Sequence, residues 1–173
     1  MSLTTQQRRL LAHDALTGLS AGDAFGNQAF PESWRVASPA FPGSWAWTDD
    51  TQMACALLEV LERHNRVDQD ALAVAFAERA EECRDYGMGA RTLLDRVRQG
   101  DHWRTVAPEL FHGTGSWGNG GAMRVTPLGA WFADDLARAA AEAGASAEVT
   151  HGHPEGIAGG IAAGVAAACA ASL

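Results

Sequence analysis

No basic cluster, no run of alternating β-branched residues and few cysteines occur in this sequence, and each shortage closes off a class of protein. Lys and Arg total 13 against 21 Asp and Glu, for a net charge of −8. Phosphate contacts need a positive face, so no nucleic-acid partner is expected. The three cysteines, Cys55, Cys83 and Cys169, stand far apart in apolar helical contexts. That spacing is neither a disulfide framework nor a metal knuckle, and it predicts buried, reduced thiols in a cytoplasmic protein. The first residues, MSLTTQQRRLLAHDAL, lack an extended apolar core and a cleavage site, so no secretory signal is expected. Without strand alternation, the fold class reads as all-α.

What is present is helical spacing. With 173 residues, 47% hydrophobic and 20% charged, the chain suits one domain, residues 1–173, built as a compact multi-helix bundle. Met53, Ala56, Leu57, Val60 and Leu61 fall on one helical face, and Leu72, Ala75, Phe76, Ala80 and Cys83 on a second. Leu136, Ala139, Ala140 and Ala143 make a third. Residues 5–22 form a further helix that offers Leu10, Leu11, Ala15, Gly18 and Leu19 for burial. Residues 22–47 and 112–121 read as loops.

The last 18 residues, from Gly156 to Leu173, carry no charge. Their length reaches that of a membrane span, but most are Ala and Gly and no basic residues flank them. A helix buried in a bundle is the expectation, with no membrane. Gly156, Gly160 and Gly164 clear one stripe for close approach by another helix. A fully apolar terminal helix also implies more protein around it, as a partner chain or by self-association.

Four stretches could carry chemistry. Thr48-Asp49-Asp50-Thr51 opens a strongly apolar helix. One of these residues can cap that helix, yet adjacent carboxylates repel, and hydroxyls beside carboxylates suit a hard cation such as Mg²⁺ or Ca²⁺. Gly22-Asp23-Ala24-Phe25-Gly26 reads as a helix end turning into a loop, where Asp23 organises the turn or reaches a site. Ser116-Trp117-Gly118-Asn119-Gly120-Gly121 is glycine-rich enough for backbone N–H groups to converge on an anion, and it runs into a helix. It lacks the Gly-Lys-Ser/Thr ending of a P-loop. Arg124 beyond it reads as an ion-pair partner before a phosphate contact. In Thr150-His151-Gly152-His153, two histidines before Pro154 make a poor zinc signal; one meeting a ligand and the other capping the helix fits better. All four lie at helix ends, which a bundle can gather at one mouth.

These motifs, in this order, resemble the ADP-ribosylglycohydrolase family. The resemblance implies an all-α, Mg²⁺-dependent hydrolase that releases ADP-ribose from an ADP-ribosylated protein or small molecule. It makes Asp49 and Asp50 the catalytic pair and Thr48, Asp49 and Asp50 ligands of one or both Mg²⁺ ions. Ser116, Gly118, Asn119, Gly120, Met123 and His151 become the substrate-binding residues. Trp45, Trp47 and Trp117 would lie near the same mouth, against adenine or as a wall, with at least two expected in the core.

Two positions depart from the family pattern. Phe30 stands where many relatives carry Glu, and Glu32, after Pro31, is the candidate substitute. The family's late Gly-Gly-Asp-x-Asp-Thr motif does not occur, so the sequence resembles the first half of a longer, incomplete fold. Three functions follow: a hydrolase completed by another segment, a non-catalytic ADP-ribose-binding remnant, or a helical interaction domain.

Overall fold

The computed structural model describes residues 2–28 and 45–173. Among them every regular element is helical: α1 (Thr5–Asn27), α2 (Asp49–His64), α3 (Gln69–Arg79), a 3₁₀ turn (Glu82–Arg84), α4 (Met88–Arg98), α5 (Trp103–Gly113), α6 (Gly120–Met123), α7 (Thr126–Trp131), α8 (Leu136–Glu148) and α9 (Pro154–Ala171). The all-α expectation holds.

Short polar side chains start four of these helices, α1, α2, α3 and α8. Thr4 and Gln7 form a reciprocal capping box at α1, Asp68 accepts from Ala71 N–H at α3, and Asp135 accepts from Arg138 N–H at α8. Asn65 ends α2 in the left-handed region at φ 52°, a conformation that asparagine tolerates better than most residues. Its Oδ1 then accepts from the indole N–H of Trp131, which ties the end of α2 to α7.

The core forms where α2 packs against α3, α7 and the residues around them. Met53, Ala56, Leu57, Val60 and Leu61 are all buried, as their spacing predicts. Leu72, Phe76, Leu93, Leu94, Val106, Leu128, Trp131 and Phe132 complete it. Fully burying each large side chain contributes about 1.5–3 kcal/mol.

Other expected faces are corrected. Cys83 is exposed in the 3₁₀ turn, because α3 stops at Arg79 and the chain extends before continuing. Cys169 is exposed too, and Cys55 is half-buried, so the three thiols are not a buried set. Leu136 lies at the first turn of α8 and is exposed. The helix read as residues 5–22 runs on to Asn27, so Gly22, Asp23 and Gly26 are helical rather than looped. Its buried residues are Ala12 and Ala24, while Leu11, Ala15, Gly18 and Leu19 line an open, mainly apolar groove shared with Ala130, Ala167, Ala170 and Ala171.

The glycine stripe of α9 does what its spacing implies. A Cβ on Gly160 would stand 2.9 Å from Ala147 Cβ, and one on Gly164 would stand 2.7 Å from Ala143 Cβ. The small face therefore seats α9 directly on α8. On the other side, Gly129 of α7 lies against the Gly164 carbonyl, where a Cβ would sit at 2.3 Å. Burial stops at that stripe: Gly156, Gly160, Gly164 and Ala168 are the buried residues of α9. The helix expected to be buried in a bundle is thus covered along one stripe, and by length and composition it is apolar enough to cross a bilayer.

Candidate ligand cavity

The entrance of α2 is capped twice, and neither Asp49 nor Asp50 is the cap. Thr48 occupies the N-cap position and its hydroxyl accepts from Asp50 N–H at 3.4 Å. Asp23, reaching across from α1, accepts four hydrogen bonds. They come from Thr48 N–H (2.8 Å), Thr48 Oγ1 (2.7 Å), Thr51 N–H (3.3 Å) and Thr51 Oγ1 (2.6 Å). The two threonines therefore serve the clamp, and the Asp49 and Asp50 side chains are left to the space in front of the helix. Burial pushes the Asp49 carboxyl up to about 6, with repulsion from Asp23 adding to it. Burial, then repulsion from Asp49 and Asp23, pushes Asp50 up to about 7.

Opposite lies the glycine-rich segment. The backbone turns extended at Leu110, then passes through the left-handed region at Phe111 (φ 53°), His112 (φ 62°), Gly113 and Gly115. Gly115, at φ 72°, presses on Gly152, where a Cβ would meet the carbonyl carbon at 2.6 Å. Only glycine meets both demands there. Ser116 Oγ then accepts from Gly118 N–H at 3.3 Å, and the Ser116 carbonyl accepts from His153 N–H at 3.3 Å. The helix expected to follow this loop is the single turn α6. It is too short to add a useful dipole, so the loop's own N–H groups must account for any anion preference.

Arg124 and His151 form the back wall. Arg124 is 1% exposed, lies over the Phe76 ring at 4.7 Å, and donates to the Ser146 carbonyl (2.9 Å) and Thr150 Oγ1 (2.8 Å). It was expected in an ion pair, but no carboxylate of the described residues comes within 4 Å of it. Burial lowers its pKa to about 10, and the fields of Asp50 and Asp49 oppose that shift. His151 is 7% exposed, and burial followed by repulsion from Arg124 lowers it to about 4. His153 caps α9 instead, accepting from Glu155 N–H at 3.1 Å.

These pieces enclose a cavity of about 470 Å³. Asp49, Asp50, Ser116, Gly118, Asn119, Gly120, Met123 and His151 all line it, together with Arg124 and Thr150. Thr48 lines an adjoining hollow of about 600 Å³ that also includes Asp23, Asp49, Asp50 and Asp85. The structure thus brings every candidate site residue to one mouth.

The three tryptophans expected near the mouth are not core residues: Trp117 is 71% exposed, Trp45 is exposed, and Trp47 is half-buried under the guanidinium of Arg84, 3.4 Å from its ring centroid. Phe30 and Glu32 lie outside the described residues. Asp85 borders both hollows from a left-handed turn at φ 59° and went unnoticed in the sequence. Asp-Tyr-Gly was the available signal, since aspartate and glycine are the usual residues of such turns.

The fit to Mg²⁺ can be judged from the donor set. Carboxylate and hydroxyl oxygens are the hard ligands that this ion takes, and burial together with mutual repulsion raises both Asp49 and Asp50, a cost that a bound cation would relieve. In number the set is short. Among the described residues no group of three His, Cys, Asp or Glu side chains is close enough to hold an ion. The residues fit in kind, as one side of a site.

An acidic helix entrance thus faces a glycine-rich loop across one cavity, in an all-helical frame. The ADP-ribosylglycohydrolase family model matches residues 3–173, and the chain belongs to that family. It is 37% identical over 99 residues to ADP-ribosylhydrolase ARH3 of Bos taurus, a match covering 52% of this chain and 27% of that protein. The corresponding protein of Homo sapiens is 35% identical over 99 residues, with the same coverage. That of Gallus gallus is 32% identical over 117 residues, covering 64% of this chain and 31% of its own length. The matched stretch thus spans less than a third of these relatives.

Proposed function

We propose that the cavity binds ADP-ribose and that the chain supplies part of the active site of an ADP-ribosyl hydrolase. The substrate would be an ADP-ribosylated protein or small molecule. The observation that carries this reading is the convergence of Asp49, Asp50, the Ser116–Gly121 segment and His151 on one cavity, in a chain of this family.

Each wall has a task under this reading. The Gly120 N–H and the Ser116 hydroxyl lie beside the diphosphate, where the glycines let donors meet anionic oxygens without a bulky side chain between. His151 donates a hydrogen bond to a ligand oxygen. Met123 packs against the sugar. Asp49 and Asp50 orient the ribose hydroxyls and the attacking water by accepting their hydrogen bonds. Thr48, Asp49 and Asp50 would hold Mg²⁺ with ligands from elsewhere, and the bound ion would supply positive charge to those oxygens. Asp23 keeps the acidic pair in place through its four bonds to Thr48 and Thr51.

Among the described residues no third His, Cys, Asp or Glu side chain joins Asp49 and Asp50 closely enough to hold an ion, which favours a second reading, ADP-ribose binding without turnover. Calorimetric titration of the chain with ADP-ribose, in Mg²⁺ and again in chelator, separates the two. Metal-strengthened binding together with release of ADP-ribose from a modified substrate supports the hydrolase. Metal-independent binding without turnover supports the second reading. No binding in either condition overturns both.

A further inference from the structure

The Thr150 hydroxyl stands between two buried groups. Arg124 Nη2 donates to it at 2.8 Å, and His151 Nδ1 lies 2.7 Å away. A guanidinium carries donors only, so Arg124 must occupy an acceptor lone pair of Thr150 Oγ1. The hydroxyl proton is then free to donate, and Nδ1 is the acceptor within reach. With a proton on Nδ1 instead, Thr150 Oγ1 would accept twice and its own proton would be buried without a partner, the costlier arrangement in a closed site.

We propose that Arg124, acting through Thr150, fixes His151 as the tautomer protonated on Nε2, so that the cavity is offered a permanent neutral donor. That nitrogen faces the glycine-rich segment: a Cβ added to Gly120 would lie 3.5 Å from it, and one on Gly118 would lie 3.7 Å away. The group seated against it must be a hydrogen-bond acceptor, and here the inference rests on the ADP-ribose reading: a phosphoryl, hydroxyl or ring oxygen fits, and an amino group does not. Arg124 is a positioning residue in this scheme. Its charge also keeps the ring neutral, in the same direction as burial. The charged groups that line the cavity with the ring are Arg124, Asp49, Asp50 and Asp85.

Long-range ¹H–¹⁵N spectra of the histidine rings in the full chain, without ligand, read the tautomer directly. The His151 signals are assigned by their disappearance in His151→Gln. The expected result is Nδ1 at the shift of an unprotonated ring nitrogen and Nε2 at that of a protonated one. Thr150→Ser keeps this pattern, whereas Thr150→Val and Arg124→Met lose it and give a tautomer mixture. Protonated Nδ1 in the parent, an imidazolium at neutral pH, or an unchanged pure tautomer in folded Thr150→Val overturns the proposal. If the two disruptive variants do not fold, the parent spectrum alone decides. Because no ligand is present, the outcome is independent of whether ADP-ribose binds.

Discussion

Asp23 accepts from both the backbone N–H and the hydroxyl of Thr48, at 2.8 and 2.7 Å, so α1 holds the entrance of α2 by its N-cap residue. That clamp explains how two acids can follow the cap directly. The capping work is done from outside, and Asp49 and Asp50 can face the cavity.

Removing the clamp is therefore costly. Asp23→Ala leaves four donors at Thr48 and Thr51 without their acceptor and should lower stability by about 1.5–3 kcal/mol, the range for hydrogen bonds to a charged group. Asp23→Asn keeps one acceptor oxygen and should lose less. Urea denaturation measures both, and a change within about 0.5 kcal/mol for Asp23→Ala would show that the clamp is idle.

The acidic pair makes a pH prediction. Burial, with repulsion from Asp49 and Asp23, pushes the Asp50 carboxyl up to about 7 in the folded chain. The ordinary carboxylate value is about 4, so the folded state binds more protons across that interval. Stability attributable to Asp50 therefore falls as pH rises from about 4 to about 7, and it is flat above. Asp50→Asn should gain in Tm over the parent across that window and hold a constant lead beyond it. His151 runs the opposite way, since its folded value is depressed to about 4; its contribution is complete above about 6.5 and is lost as pH falls. Comparing parent with Asp50→Asn cancels it. A Tm difference independent of pH would contradict the assignment.

The helix seam gives a paired test. Gly164→Ala forces a Cβ to 2.7 Å from Ala143 Cβ and should destabilise by about 1–3 kcal/mol. Gly159→Ala, on the open side of the same helix, meets nothing within 4 Å and should stabilise by about 0.5–1 kcal/mol through helix propensity. Equal effects of the two in denaturation would mean that α9 is not seated by its glycine stripe.

Thiol labelling checks the corrected cysteines. Cys83 and Cys169 are exposed and should react quickly with an aromatic disulfide reagent, while half-buried Cys55, whose pKa burial raises, reacts slowly until the chain unfolds. One fast thiol, or none, contradicts the structure.

Much of this was legible in the sequence. The α2 face could be read because its apolar residues recur at helical spacing and all face one core. The glycine stripe could be read because small residues every fourth position have a single geometric meaning. That one of the two histidines before Pro154 caps the last helix followed from their place at its entrance; the structure makes it His153. What failed was anything depending on tertiary surroundings. Spacing marks Leu11, Ala15 and Leu19 as a face, but not whether anything covers it. Nor could it show that Arg124 would be buried over Phe76 without a carboxylate beside it. Asp23 was ambiguous because its partners lie 25 and 28 residues further along.

Under the proposed function ADP-ribose occupies the cavity between the α2 entrance and the Ser116–Gly121 segment. The most direct test is an amide chemical-shift titration of the full chain with ADP-ribose in the presence of Mg²⁺. Saturable shifts at Asp49, Asp50, Ser116, Gly118, Gly120, Met123 and His151 are the predicted result. Shifts confined to the groove of Leu11, Ala15, Gly18 and Leu19, or none at all, would contradict it.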